Sequence, residues 1–451
     1  MPTILEDAAQ RAQRYLDKVS DRSVAPNEDD IAALERFEGP VPEHGEAPDL
    51  VISQLDELGS PATVANAGGR YFGFVIGSGH PVGLAANWLA GAWNQNAALE
   101  VMSPVAARLE RVAIEWVRQL LYLPSAAEGA FVTGDTVANI AGLAAARQAV
   151  LARVGHDVAT QGLTGAPPIQ VVVSEEVHVS VVRAIALLGL GRDRVVTVPT
   201  DEQGRMRADR LPDLSGPTIV CTQAGNVNTG SFDPIGAICD RARGAGAWVH
   251  VDGAFGLWAC AAPHRRALAE GVEHADSWAL DCHKWLNLPY DSGIVLVRNG
   301  AALRSALAAS PAAYLPSTDE VALMEYTPEM SRRARGVDAW AVIRHLGRAG
   351  VADLVERCCF YAERFRDRLR AAGFRILNDV VLNQVMVSFG SDETTRRVVS
   401  EVQKEGTCWC GSTVWKGTAA MRISVSSWAT TEDDVDRSVD AMIRIARRIQ
   451  G

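Results

Sequence analysis

Ala247-Trp248-Val249-His250-Val251-Asp252-Gly253-Ala254 and, thirty-two positions after Asp252, the lysine of Cys282-His283-Lys284-Trp285 decide how the chain is read. The apolar run through Val251 is β-prone and predicts a strand, with Asp252 held rigidly at its end. Runs of the same length recur at 130–133, 170–173, 195–198, 218–221, 277–280 and 293–297. Helical patterns at 136–153, 179–188 and 234–245 lie between several of them. That alternation predicts an α/β domain built on a mostly parallel, seven-stranded sheet. Ligands of such sheets gather outside the carboxyl ends of the strands. Thr133, Gly134, Ser174, Thr222, Asp252 and Asp281 all fall at expected strand ends, which points to one shared site.

The flanking segments read differently. Ile4, Leu5, Ala8, Ala12, Tyr15, Leu16 and Val19 repeat every three or four residues, as in an amphipathic helix that would dock on a partner subunit. Pro26, Pro40, Pro42 and Pro48 then interrupt a polar stretch, and a second helical region covers 81–122. Beyond about 330, a long helix over 338–372 is expected, followed by strands at 375–378, 383–388 and 420–425 and a last helix from 431. The resulting division is a helical N-terminal segment (1–100), a large domain (101–330) and a smaller C-terminal α+β domain (331–451).

Composition narrows the function. The 451 residues are 48% hydrophobic and 22% charged, with a formal net charge of −10, which argues against a nucleic-acid or anionic-membrane binder. No apolar run approaches the ~18–20 residues that span a bilayer, and the first residues lack signal-peptide character, so a cytoplasmic protein is expected. The eight cysteines have no zinc-ligand spacing and read as reduced, buried thiols. Cys282 lacks the neighbours of a thiol nucleophile. No metal site is expected.

The chemistry follows from the lysine and the aspartate. A lysine amine joins cofactor chemistry as a Schiff base with pyridoxal phosphate, whose ring nitrogen requires a carboxylate. Lys284 and Asp252 supply both. Gly134-Asp135-Thr136 leads from a strand into a helix and suits the phosphate, through the Gly134 and Asp135 amides and the Thr136 hydroxyl. The Asp135 carboxylate would oppose the phosphate unless it turns away and caps the helix. His178 is flat enough to stack on the cofactor ring and can pass protons. Ala254 would pack on the opposite ring face, and His283 is placed for phosphate contact.

His178, His250-Val251-Asp252-Gly253-Ala254-Phe255 and His283-Lys284-Trp285 resemble the group II pyridoxal-phosphate decarboxylases, relatives of the aromatic-amino-acid and glutamate decarboxylases, over about residues 70–445. The resemblance implies the fold type I transferase architecture and a homodimer with active sites at the subunit interface. It also implies Lys284 as the Schiff-base residue, Asp252 as the pyridinium partner and His178 as the stacked ring. The activity it implies is decarboxylation of an L-amino acid to its amine. Transamination, lyase chemistry or oxidative deamination with the same cofactor is the alternative.

This chain departs from the pattern at three places. Asn226 or Asn228 stands in for the hydroxyl contact of a Gly-Thr-Thr segment. Asp281 replaces a Ser or Asn near the phosphate. The loop before Arg332-Arg333-Ala334-Arg335 looks short, and Tyr326, with Tyr314 in reserve, is the nearest match to the loop tyrosine that protonates the carbanion. His178 with water is the other route. Tyr71, Phe74, Trp93 and Asn94 resemble substrate-pocket segments that fit an aromatic or mid-sized polar amino acid. Arg422 matches a carboxylate-binding arginine and equally suits a structural ion pair.

Overall fold

Valine-rich runs such as Val171-Val172-Val173 form strands buried on both faces, as expected of a sheet covered on either side by helices. The computed structural model describes residues 3–308 and 322–451. These form two compact units, and the larger comprises residues 79–360 and 378–384. The sequence boundaries near 100 and 330 both fall inside it.

The sheet of the larger unit contains β1 (Glu128–Val132), β2 (Gln170–Ser174), β3 (Val196–Val198), β4 (Thr218–Gln223), β5 (Trp248–Asp252), β6 (Ser277–Asp281) and β7 (Gly293–Val297). Its order is β1-β7-β6-β5-β4-β2-β3. The β6-β5-β4-β2-β3 pairs are parallel, and β7 runs antiparallel to both β1 and β6. Gly293, at the start of β7, is level with Val132 on one side and with Asp281 on the other. That register brings the end of β1 beside the end of β6. A Cβ on Gly293 would lie 2.6 Å from the Gly134 Cα, so only glycine permits this approach.

The longer helices between the strands are α1 (Asp135–Ala152), α2 (Val179–Leu187) and α3 (Ile235–Ala245). Alanine dominates α1 because the helix is buried against the sheet, where larger side chains would hold it away. At Gly142 a Cβ would come within 2.7 Å of the His250 ring, so this glycine lets α1 close over β5. Helices Pro81–Trp93 and Pro104–Leu120 precede the sheet, each with proline in its first turn.

A buried ion pair fixes the β1 edge. Arg332 Nη2 lies 2.9 Å from Glu110 Oε1 with both side chains fully inaccessible. The guanidinium also donates to the Ala97 and Phe131 carbonyls, and Glu110 accepts the Phe131 amide. All eight cysteines are buried thiols outside any disulfide.

The smaller unit comprises residues 1–78, 361–377 and 385–451. Strands Trp409–Trp415 and Thr418–Ser424 pair antiparallel in a five-stranded sheet, and Tyr71–Phe72 joins Trp409–Trp415 in parallel. The helix expected over 338–372 is Arg335–Ala371, broken at Gly347 (φ 62°, ψ −178°). The amphipathic helix Ile4–Lys18 buries none of its residues.

Candidate active site

The polar ends of β5 and β6 and the start of α1 converge at the carboxyl edge of the large sheet. Lys284 follows β6 by three residues, and its Nζ lies 2.9 Å from Asp281 Oδ2. Asp281 Oδ1 accepts the Asp135 amide at 2.7 Å and stands 3.3 Å from His283 Nε2. One carboxylate therefore takes the first amide of α1, the lysine and the histidine. Burial pushes the Lys284 amine down, but Asp281, Asp135 and Asp252 outweigh it and leave the pKa raised.

Beside this group, one polar atom each from Asp135, His178 and Asp252 lies within 4.8 Å of the other two. Asp252 is buried at the end of β5 and accepts the Ala254 amide at 3.2 Å. His178 caps α2, with Nδ1 accepting the Ser180 amide at 3.3 Å. The chain thus brings together Lys284, Asp252, His178, Gly134, Asp135 and His283. Ala254 is joined to the group through Asp252. Thr136 follows Asp135 in the first turn of α1.

Several of these side chains already hold protein partners. The Asp135 carboxylate does not cap α1. Its Oδ2 accepts from Asn139 Nδ2 at 2.8 Å and lies 3.1 Å from Ser180 Oγ, while Oδ1 has no hydrogen-bond partner. His283 accepts the Ser292 amide on Nδ1 and stacks on Tyr290 with centroids 4.3 Å apart. Asn226 Oδ1 accepts the Asn228 and Thr229 amides, so that side chain organises its own turn.

Tyr326 is held elsewhere. Its hydroxyl donates to Glu128 Oε2 at 2.8 Å and accepts from Arg304 Nη1 at 2.8 Å. Glu128 begins β1, so this tyrosine stands at the opposite edge of the sheet, about 14 Å of strand from Val132. Tyr314 lies outside the described residues. Trp93 and Asn94 end a helix whose other end is tied to the Lys284 loop by the His80 amide on the Asn287 carbonyl. They are therefore a helix length from that loop, roughly 20 Å at ~1.5 Å per residue. Tyr71, Phe74 and Arg422 belong to the smaller unit, where both aromatics stack on Trp409. Burial lowers the Arg422 pKa.

The donor set fits pyridoxal phosphate. A partly buried amine, a carboxylate at a strand end, a half-buried imidazole and a glycine at the start of a helix are its usual demands. Gly134 keeps the cradle open, since a Cβ there would approach the His283 ring at 3.2 Å. Asn139, Ser180 and Ser277 escaped the sequence reading. They lie 41 to 138 positions from one another in pairs, and no local pattern marks them.

Comparison with known proteins points to the same coenzyme. Residues 38–390 match the family described as the pyridoxal-dependent decarboxylase conserved domain. The L-2,4-diaminobutyrate decarboxylase of Rhizobium meliloti (strain 1021) is 30% identical over 438 residues, covering 89% of this chain and 86% of that protein. The aromatic-L-amino-acid decarboxylase of Bacillus atrophaeus is 27% identical over 388 residues, covering 81% and 78%. Among solved structures, Oryza sativa TDC with PLP and tryptamine shares the fold, with a TM-score of 0.92 at 24% identity over 99% of this chain and 98% of that one.

Proposed function

Because the chain belongs to the pyridoxal-dependent decarboxylase family, and so removes carbon dioxide from an amino acid with pyridoxal phosphate as coenzyme, we propose that Lys284 is its Schiff-base residue and that its substrate is an aromatic L-amino acid. The observation carrying the site assignment is the partly buried Lys284 amine beside Asp281, with Asp252 and His178 close together at the same sheet edge. The bound coenzyme supplies an electron sink for the pair left at Cα.

The chain's own groups do the rest. Asp252 holds a proton on the ring nitrogen. The Gly134, Asp135 and Thr136 segment and His283 bind the phosphate, Asn226 or Asn228 faces the ring's oxygen, and Ala254 closes one ring face. His178 covers the other face and delivers the proton to Cα in place of Tyr326, whose hydroxyl is engaged at the far edge. Curated relatives named for aromatic substrates support the substrate class, among them tryptophan decarboxylase 1 of Oryza sativa subsp. japonica at 27% identity.

The functional unit in this reading is a homodimer in the cytoplasm. Trp88, Leu89 and Trp93 are exposed on helix Pro81–Trp93, and Val101, Met102 and Val105 are exposed just beyond it. A run of apolar side chains of that size favours a second copy over water. No described helix is long and apolar enough to cross a membrane. Eight buried thiols outside any disulfide suit a reducing compartment.

The test is borohydride reduction of the loaded protein followed by peptide mapping, with carbon dioxide and amine measured across aromatic amino acids and L-2,4-diaminobutyrate. The coenzyme should be fixed at Lys284, and aromatic substrates should lead in kcat/KM. Fixation at another lysine overturns the site, and preference for diaminobutyrate overturns the substrate class.

A further inference from the structure

Behind the Lys284 pocket runs a chain of buried polar groups whose hydrogens can be counted. Trp248 Nε1 can only donate, and it gives its hydrogen to Ser277 Oγ at 2.9 Å. The Ser277 hydroxyl therefore gives its own hydrogen to His250 Nδ1 at 2.8 Å. His250 is neutral, since burial pushes it down to about 3, so its remaining hydrogen is on Nε2 and meets Asn139 Oδ1 at 2.7 Å. The Asn139 amide is thereby oriented. It donates to Asp135 Oδ2 at 2.8 Å and to Ser180 Oγ at 3.2 Å.

The count closes from the other side. The Ser180 backbone amide donates to His178 Nδ1, so that nitrogen carries a lone pair. The Ser180 hydroxyl lies 2.8 Å from the same nitrogen and can share that lone pair with its single hydrogen. Yet Ser180 Oγ also lies 3.1 Å from Asp135 Oδ2. An ionised aspartate would draw the serine hydrogen across that contact, whereas a neutral one leaves it on His178 and donates its own hydrogen to Ser180.

We propose that Asp135 is held as a neutral carboxylic acid and stores the proton that passes through Ser180 to His178 during decarboxylation, a positioning role that rests on the reading above. Its surroundings agree. Oδ1 is buried without a partner, which costs far less for a carbonyl oxygen than for a carboxylate oxygen. Asp252 is close enough that both acids cannot ionise together without strong repulsion. Burial first, then Asp252 and Asp281, push the Asp135 acid well above the usual carboxylate range, against the opposing pull of Lys284 and Ser180.

The protons balance. Breaking the bond from Cα to the carboxylate leaves an electron pair on Cα, and one proton is taken up for each carbon dioxide released. His178 Nε2–H gives that proton, His178 Nδ1 takes the Ser180 hydrogen, and Ser180 takes the one on Asp135. Asp135 ends as a carboxylate and reloads from solvent between turnovers. The histidine stays neutral throughout.

Infrared spectra of the full-length protein at neutral pH, with and without coenzyme, test this. The wild type should show the carbonyl band of a buried protonated carboxyl, and Asp135→Asn should remove it. Ser180→Ala keeps the acid but should shift the band, so the test stands even if Asp135→Asn fails to fold. In single turnovers of the holoenzyme, both variants should slow proton delivery to Cα by about 10²-fold or more. A wild type without the band, or a band that survives Asp135→Asn, overturns the proposal. A band without carbon dioxide release sinks the decarboxylase reading and leaves the stored proton standing. Carbon dioxide release without the band does the reverse.

Discussion

Asp281 Oδ2 lies 2.9 Å from Lys284 Nζ, so the residue beside the expected phosphate position is an anion already paired with the lysine. Its other oxygen holds the first amide of α1. Both partners are ones that an incoming phosphorylated aldehyde needs.

Replacing Asp281 with Asn should therefore ease coenzyme capture. Burial lowers the Lys284 pKa, but the Asp281 and Asp252 carboxylates raise it further, so the amine form needed for capture grows in only at alkaline pH. Removing one of these carboxylates should move the pH profile of capture downward and tighten coenzyme binding about tenfold, the equivalent of ~1.4 kcal/mol. Absorbance titration of coenzyme-free protein across pH reads both. An unmoved profile would refute the assignment.

Glu110 and Arg332 make a different kind of pair, fully buried and remote from the lysine in sequence. Changing Arg332 to Leu leaves a carboxylate uncompensated inside the protein and should cost about 3–5 kcal/mol in chemical denaturation. The double variant Glu110→Leu with Arg332→Leu should recover part of that loss. Additive losses would contradict the pairing.

Stability should fall in mild acid because of His250. Its folded pKa, about 3, lies below the ordinary histidine value of about 6.5, so the unfolded chain binds the proton first. As pH drops from about 6.5 towards 3, this residue alone should add up to about one proton to the pH slope of unfolding. His250→Asn should flatten that slope. Equal slopes in denaturant titrations of the two proteins would exclude His250 as the source.

Tyr326→Phe should leave kcat within about twofold, because the hydroxyl serves Glu128 and Arg304 at the amino end of β1. The loss should appear in stability, at about 1 kcal/mol. A collapse of turnover with stability unchanged would return this tyrosine to the chemistry.

The large sheet was legible because its strands are short apolar runs, and length with β-branched content separates Val171-Val172-Val173 from the longer, alanine-rich α1. Asp252 was legible because it ends a strand with a carboxylate, and Lys284 because it places an amine three residues beyond the end of another. Strand Trp409–Trp415 was missed. Gly411, Ser412 and Thr413 break its hydrophobic pattern, and its place is set by pairing with Thr418–Ser424. Glu110 with Arg332, and Asp135 with Ser180, depend on contacts between distant segments that no window along the chain contains. Tyr326 was placed by its resemblance to a loop position, while its contacts follow from Glu128 at the start of β1.

Every thiol in the chain is enclosed, including Cys282, whose acidity burial suppresses although it adjoins the reactive lysine. The native protein is therefore silent towards alkylating reagents, and each modified sulfur counts a molecule, or a region of one, that has opened. Mass spectrometry after a brief pulse of reagent would turn these side chains into a built-in gauge of local unfolding, with no label engineered in.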